Sequence, residues 1–170
     1  MQMIRIRSHT QQDLPGLVPL FRDFFTLHRQ FLGGTVPLTD TEAQGIVLET
    51  TSQPQSWLIV AEEAETGQLV GFARWEEREG AFFGRELFVR PEYRDQGIGT
   101  RLQEEVERRV REAGADAFFI SIVPHNRHML AFAHRREYET LNTVELRKEL
   151  AGRQPRRGQV ELFDLEFKVI

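Results

Sequence analysis

Residues 86–102 read ELFVRPEYRDQGIGTRL, which combines an apolar strand, a glycine turn and the start of a helix. The strand runs to Pro91, an Arg-x-x-Gly-x-Gly turn occupies Arg94–Gly99, and an amphipathic helix begins directly after it. Glycines leave backbone N–H groups unshielded, and a helix N-terminus adds unpaired N–H groups and a partial positive charge. All three features favour a bound anion. We therefore predict that this turn holds phosphate groups of a ligand, mainly through main-chain N–H groups.

Two well-known phosphate-binding turns do not match this stretch. A Walker A loop needs a lysine after its second glycine, but the only lysines of the chain are Lys148 and Lys168. A dinucleotide fingerprint needs a third glycine three residues after Gly99, and Leu102 occupies that position. The turn therefore belongs to another class of phosphate site.

The turn resembles the acyl-CoA pyrophosphate loop of the GNAT family of N-acetyltransferases. That loop has the pattern Gln/Arg-x-x-Gly-x-Gly/Ala and follows a strand that ends in Val-x-Pro. Arg94–Gly99 matches the first half of this description, and Val89–Pro91 matches the second. The resemblance extends over about residues 3–150, and residues 151–170 are expected to add a loop and an edge strand.

Composition limits the class of protein. The 170 residues suit one domain, so we predict a single N-acetyltransferase domain over residues 1–170. A net charge of −4 disfavours a nucleic-acid partner, and no apolar run approaches the ~20 residues that span a bilayer. The chain has no cysteine and its first residues lack a signal-peptide pattern, so we expect a cytoplasmic protein without nucleic-acid or membrane partners.

Hydrophobic periodicity and turn residues predict the element order β-α-α-β-β-β-α-β-α-β-β. This is also the order of the GNAT family. Its α/β (α+β) fold has a central mixed, mostly antiparallel sheet with helices on both faces. Pro19 should kink or restart the first helix. The predicted strands are 3–7, 57–62, 68–77, 81–89, 117–123, 138–150 and 160–169, and the predicted helices are 10–31, 41–51, 98–113 and 126–136.

The resemblance implies acetyl-CoA as the acetyl-donor cosubstrate and a primary amine of a small molecule or peptide as the acceptor. The strand before the loop splays from the next strand in this family, which places the Val89 N–H against the oxygen of the reacting carbonyl. Asn126, which opens a helix, matches an asparagine that contacts the CoA arm, although it also suits an N-cap. The residues expected to bind the coenzyme are Phe88, Val89, Arg94, Asp95, Gln96, Gly97, Ile98, Gly99, Thr100 and Asn126.

Two side chains are candidates for catalysis. Glu86 lies just before the expected splay, where related enzymes often place the general base, although a solvated strand carboxylate is the plainer interpretation. Glu76 and Glu77 are weaker candidates and are expected to form an acidic lining that attracts a cationic acceptor. The family's tyrosine, which protonates the departing thiolate, is replaced here by Ala133. His134 or water is then left to supply that proton.

Several alternatives stay open at this level. The missing tyrosine is compatible with an acyl-CoA sensor or structural protein that does not turn over its ligand. A homodimer is also left open. No metal site is expected, because His125 and His128 lack clustered carboxylate or cysteine partners. Arg153, Arg156 and Arg157 fit either a solvated loop or a contact with the CoA 3′-phosphate.

Overall fold

A computed structural model describes residues 3–148, 150, 158–162 and 164–168. The elements follow the predicted order: β1 (Ile4–Ser8), α1 (Leu14–Phe31), α2 (Asp40–Ser52), β2 (Ser56–Glu63), β3 (Leu69–Arg78), β4 (Ala81–Val89), α3 (Ile98–Glu112), β5 (Phe118–Ile120), α4 (Arg127–His134), β6 (Gln159–Leu162) and β7 (Leu165–Lys168). The described residues form two compact units, one of residues up to 27 with 36–121, the other of 28–35 with those from 122 onward. The prediction of a single domain stays a prediction.

The first unit contains a five-stranded sheet in the order β1-β2-β3-β4-β5. The first four strands are antiparallel and β5 joins β4 in parallel, which confirms the predicted mixed, mostly antiparallel sheet. The β3–β4 hairpin turns at Glu79 and Gly80, whose φ angles are +54° and +80°. Two consecutive positive φ values are typical of the two-residue turn that matches strand twist.

Helices cover both faces of this sheet, as predicted. Leu102, Val106 and Val110 of α3 are buried against one face. Against the other face, Leu17 and Phe21 of α1 pack with core residues of the strands. Both helical sets recur at intervals of three or four residues, so that each helix presents one apolar side to the sheet.

Helix boundaries agree with the capping residues in the sequence. The backbone N–H of Glu42 donates to Thr39 Oγ1 at 3.2 Å, and the Glu42 carboxylate accepts from the N–H of Thr39 at 2.7 Å. This reciprocal pair is a capping box, and it begins α2 at Asp40, one residue before the predicted start. Pro19 does not restart α1, which runs unbroken from Leu14 to Phe31. Buried neighbours, among them Leu20, hold the helix against the sheet and offset the one hydrogen bond that proline cannot make.

The C-terminal prediction is partly wrong. Residues 138–148 form neither helix nor strand, and the apolar side chains that suggested a strand there, such as Leu141 and Leu146, are exposed. Alternation without a face to pack against does not hold a strand. The final predicted strand is instead the β6–β7 hairpin, which turns near Asp164 at φ +63°. The arginines of the basic loop, residues 153–157, lie outside the described residues.

An ion pair joins β1 to the start of α1. Arg7 donates from Nη1 and Nη2 to Asp13 Oδ2 and Oδ1 at 2.7 and 2.8 Å, and the Thr10 N–H donates to Asp13 Oδ2 at 2.7 Å. Asp13 is 8% exposed. The hydrogen bond from Arg7 lowers the pKa of Asp13 to about 2, despite the opposing effect of burial.

We expect Asp13→Asn to lower the free energy of unfolding by about 2 kcal/mol at pH 7. Asparagine keeps the acceptor for Thr10 but removes the charge that pairs with Arg7. Because the folded pKa is below the unfolded one, the stabilisation is complete above about pH 4 and is lost as the pH falls toward 2. Urea titrations of wild type and variant at pH 7 and pH 2 measure the free energy of unfolding and check this. A difference between wild type and variant that persists unchanged at pH 2 would contradict it.

Candidate active site

A β-bulge in β4 sets which backbone groups face outward. The β3–β4 register shifts between Arg74 and Trp75, so that Arg85 has no partner on β3. Beyond this point, the N–H of Arg90 donates to the carbonyl of Val70 at 2.9 Å. Backbone groups of successive strand residues point to opposite sides. The backbone N–H and C=O groups of Glu86, Phe88 and Arg90 therefore point toward β3. Those of Leu87 and Val89 point away from it.

The side of β4 that faces away from β3 is largely unpaired. β5 pairs with β4 only from Phe82 to Gly84, so that Leu87 and Val89 have no partner strand there among the described residues. The Val89 carbonyl instead accepts a hydrogen bond from Arg94 Nε at 3.0 Å. The two strands thus separate where the resemblance predicts, and the N–H groups of Leu87 and Val89 face the open edge.

This register turns the backbone groups of one predicted site residue toward β3. The N–H and C=O of Phe88 point toward β3, and its side chain is buried between the sheet and α1. The coenzyme contacts of Phe88 stay a prediction, and Leu87 is the neighbouring residue whose N–H faces the open edge. Leu87 has the same orientation as Val89, because residues two apart on a strand direct their backbone groups to the same side. The pairing pattern reveals the bulge, whereas the residue types of β4 do not.

The glycine turn presents a row of unpaired N–H groups. The N–H groups of residues 95–100 donate to no acceptor in the described part of the chain, and the first bond within α3 runs from Arg101 N–H to Gly97 O at 3.0 Å. Asp95 and Gly97 have φ angles of +59° and +77°, and such left-handed residues turn successive N–H groups toward one side. Residues 94–97 are exposed, while Ile98 is buried and anchors the turn to the core.

Gly97 is suited to this turn in two ways. Its positive φ is a conformation that side-chain-bearing residues rarely adopt. A Cβ built at Gly97 would meet no atom within 4 Å, so the space beside the turn is open. Conformation and open space together leave the N–H groups of the turn accessible at the N-terminus of α3.

Glu86 is held by Arg74 in a buried ion pair. Arg74 donates from Nε to Glu86 Oε2 and from Nη2 to Oε1, the latter at 3.0 Å, and the two side chains are 7% and 9% exposed. Burial lowers the pKa of Arg74, but the hydrogen bonds and charges of Glu86 and Glu76 together outweigh it, and the pKa is raised. Both oxygens of the predicted base are therefore occupied by a cation.

Glu76 does not provide the expected acidic lining. Its carboxylate contacts Arg74 Nη1 at 3.3 Å, Arg78 Nε at 3.3 Å and Arg85 Nε at 3.7 Å. Glu77 is the next residue on β3 and projects from the other face of the sheet. On the face of the sheet that carries Glu76, two carboxylates, Glu76 and Glu86, pair with three guanidinium groups. These belong to Arg74, Arg78 and Arg85. These five side chains therefore carry one net positive charge on this face.

Asn126 and His134 belong to the second unit. Asn126 Oδ1 accepts the N–H of Met129 at 3.1 Å, which confirms its role as the N-cap of α4. His134 is the last residue of α4 and is exposed. The predicted roles of Asn126 toward the CoA arm and of His134 toward the thiolate stay predictions.

Within the described ranges, no group of three His, Asp or Glu side chains could hold a metal ion, and no helix is long and apolar enough to cross a bilayer.

Comparison with known proteins identifies the family. The sequence model of the Acetyltransferase (GNAT) family matches residues 17–138, so the chain belongs to this family. The matched range includes β4, the glycine turn and α3. No curated protein sequence matches the chain significantly.

Solved structures share the fold. Aminoglycoside N-acetyltransferase AAC(6')-Iy in complex with CoA has 17% identity and a TM-score of 0.68 over 89% of this chain and 97% of that one. AAC(6')-Ih from Acinetobacter baumannii has 18% identity and a TM-score of 0.66, with coverage of 88% and 100%. The PaiA N-acetyltransferase from Thermoplasma acidophilum, in complex with coenzyme A, has 17% identity and a TM-score of 0.62, with coverage of 79% and 88%.

Proposed function

We propose that this protein transfers an acetyl group from acetyl-CoA to a primary amine of a small-molecule or peptide acceptor by direct attack. The observation that carries the proposal is the row of N–H groups at residues 95–100, which have no acceptor among the described residues and lie at the N-terminus of α3. A diphosphate supplies the acceptor oxygens that these groups lack. The similar folds of AAC(6')-Iy and PaiA, both solved with CoA, support this choice of ligand.

The open edge of β4 suits the remainder of the coenzyme. An acyl-CoA whose diphosphate lies on the glycine turn can extend its amide-containing arm along this edge. The outward N–H groups of Leu87 and Val89 are then available to the arm and to the thioester oxygen. A fixed N–H donor stabilises the negative charge that develops on this oxygen during attack, an effect worth about 10²–10³-fold in rate. Val89 was the predicted donor, and Leu87 is an equivalent candidate on the same side.

We propose that Glu86 positions β4 and does not act as the free base. The pairing with Arg74 occupies both of its oxygens, so neither oxygen is free to accept the proton of an acceptor ammonium. Water then accepts the proton of the acceptor ammonium before the C–N bond forms and the C–S bond breaks. The departing thiolate takes a proton from water.

We further propose a cytoplasmic location, which suits a chain without cysteine.

The proposal predicts release of free CoA thiol when the protein is incubated with acetyl-CoA and a panel of primary amines. Thiol release is followed colorimetrically, and the acetylated amine is identified by mass spectrometry. A tertiary amine of similar size serves as the control, since it cannot yield a stable amide. Release that depends on a primary amine supports the enzyme.

The rival proposal is an acyl-CoA sensor, favoured by Ala133 in place of the tyrosine and by the occupied carboxylate of Glu86. Micromolar binding of acetyl-CoA by calorimetry, with no thiol release for any amine, would establish the sensor. Absence of binding would reject both proposals, because both depend on the glycine turn.

A further inference from the structure

We infer that the acceptor is an amine that also carries a carboxylate beside an aromatic or apolar group, and that Arg78 and Arg85 bind this carboxylate. This inference rests on the proposed function and narrows its substrate class. It is carried by a cluster of side chains at one end of the sheet, called here the arginine–phenylalanine cluster. Its members are Glu76, Arg78, Phe83, Arg85 and Phe119.

The cluster lies where an acceptor must approach. The diphosphate is expected at the C-terminal end of β4, so the coenzyme arm runs back along the open edge toward Gly84, where β4 and β5 meet. The amine reaches the thioester beyond the end of that arm. At about 3.3 Å per residue, Arg85 lies about 7 Å from Leu87 and about 13 Å from Val89 along the strand. That span fits an amino acid or a short peptide.

The charges in the cluster are unbalanced toward the cations. Arg78 and Arg85 both direct Nε to one oxygen of Glu76, at 3.3 and 3.7 Å, and Arg74 takes the other oxygen at 3.3 Å. The side chains of Arg78 and Arg85 are 60% and 40% exposed, and neither has another carboxylate partner among the described residues. Each guanidinium has five N–H donors, so most of their capacity is unused. A ligand carboxylate supplies the missing acceptors and the missing charge.

An aromatic wall stands beside these cations. The rings of Phe83 and Phe119 stack with centroids 5.3 Å apart, and the guanidinium carbon of Arg78 lies 5.3 Å from the Phe83 centroid. Both rings are only partly buried, so the wall has accessible apolar area. An aromatic or apolar side chain gains by packing on such a surface while its carboxylate meets the guanidinium groups.

The same cluster disfavours a polycationic acceptor. AAC(6')-Iy has been solved with a bisubstrate analogue of acetylneamine, and an aminoglycoside of this kind carries several ammonium groups. In this chain such a ligand would meet two exposed guanidinium groups and a single carboxylate, Glu76, that is already shared among three arginines. We therefore expect the two proteins to differ in acceptor although they share a fold.

The test uses product binding, which needs no turnover. The protein saturated with CoA is titrated in a calorimeter with N-acetyl-L-phenylalanine, with N-acetyl-L-phenylalaninamide and with neamine. We expect the carboxylate to bind about tenfold or more tightly than the amide, the effect of one charge-assisted pair near the surface. The double variant Arg78→Gln/Arg85→Gln should remove this preference while binding the amide as before. Arg111→Gln, an exposed arginine on α3, is the control and should change neither affinity.

The outcomes separate this inference from the proposed function. Equal affinities for acid and amide, no binding of either, or tighter binding of neamine overturns the inference. Acetylation of neamine would leave the enzyme established and this acceptor class rejected. A carboxylate preference that the double variant removes, together with no thiol release for any amine, would keep a carboxylate-binding site at Arg78 and Arg85 and reject both the enzyme and an acceptor.

Discussion

Gly97→Glu abolishes coenzyme A binding, with a loss of at least 100-fold in affinity, while the protein stays folded. A Cβ at this position meets no atom within 4 Å, so the new side chain fits without disturbing the core. It does project into the space assigned to the diphosphate. A carboxylate there repels a ligand that carries several negative charges and competes for the same N–H groups. Calorimetry with CoA measures the loss, and circular dichroism checks the fold.

The backbone cost of this substitution needs its own control, because Gly97 has a φ of +77°. Gly114 provides one at the other end of α3, with a φ of +90° and no atom within 4 Å of its Cβ position. Gly114→Glu therefore carries a similar strain of about 1–2 kcal/mol and the same change of charge. We expect both variants to lose similar stability and only Gly97→Glu to lose CoA. Normal CoA affinity in Gly97→Glu would place the diphosphate elsewhere.

The parts of this fold that sequence predicts best are those with local causes. Thr39 and Glu42 begin α2 because capping depends on residues three apart, and Glu79-Gly80 turns the β3–β4 hairpin because both positions need positive φ. The glycine turn is of the same kind, since its N–H groups are exposed by its own conformation. Each could be identified from a few consecutive residues.

The parts that sequence misses depend on distant partners. The bulge at Arg85 is defined only by its register against β3, and it decides that Leu87 faces the open edge. The pairing of Glu86 with Arg74 joins residues twelve positions apart on neighbouring strands. The same holds for residues 138–148, where alternation predicts a strand but no packed face supports one. In each case, the structure depends on a residue that is distant along the sequence from the segment whose pattern was used for the prediction.

Glu86→Gln should cost about 3 kcal/mol of stability, a larger loss than any surface substitution. The amide keeps the shape of the side chain but removes the charge that balances Arg74, which is 7% exposed. A buried cation that loses its bidentate partner retains its desolvation penalty with only the weaker attraction of Glu76, at 3.3 Å, to offset it. For a chain of this length, the melting temperature should fall by about 6–12 °C. Glu105→Gln is the matched control, since it breaks pairs with Arg108 and Arg109 on the surface of α3 and should cost about 1 kcal/mol or less.

The dependence of rate on pH then separates the two roles of Glu86. If Glu86 positions β4, Glu86→Gln lowers kcat moderately and leaves the apparent pKa of the acid limb unchanged, because the proton goes to water in both proteins. If Glu86 is the free base, that limb shifts or disappears and the rate falls by about 10²–10⁴-fold. The double variant Arg74→Met/Glu86→Leu sharpens the choice, since an apolar pair of similar volume should recover most of the stability. Recovery of activity along with stability establishes the positioning role, and a stable but inactive double variant returns Glu86 to the chemistry.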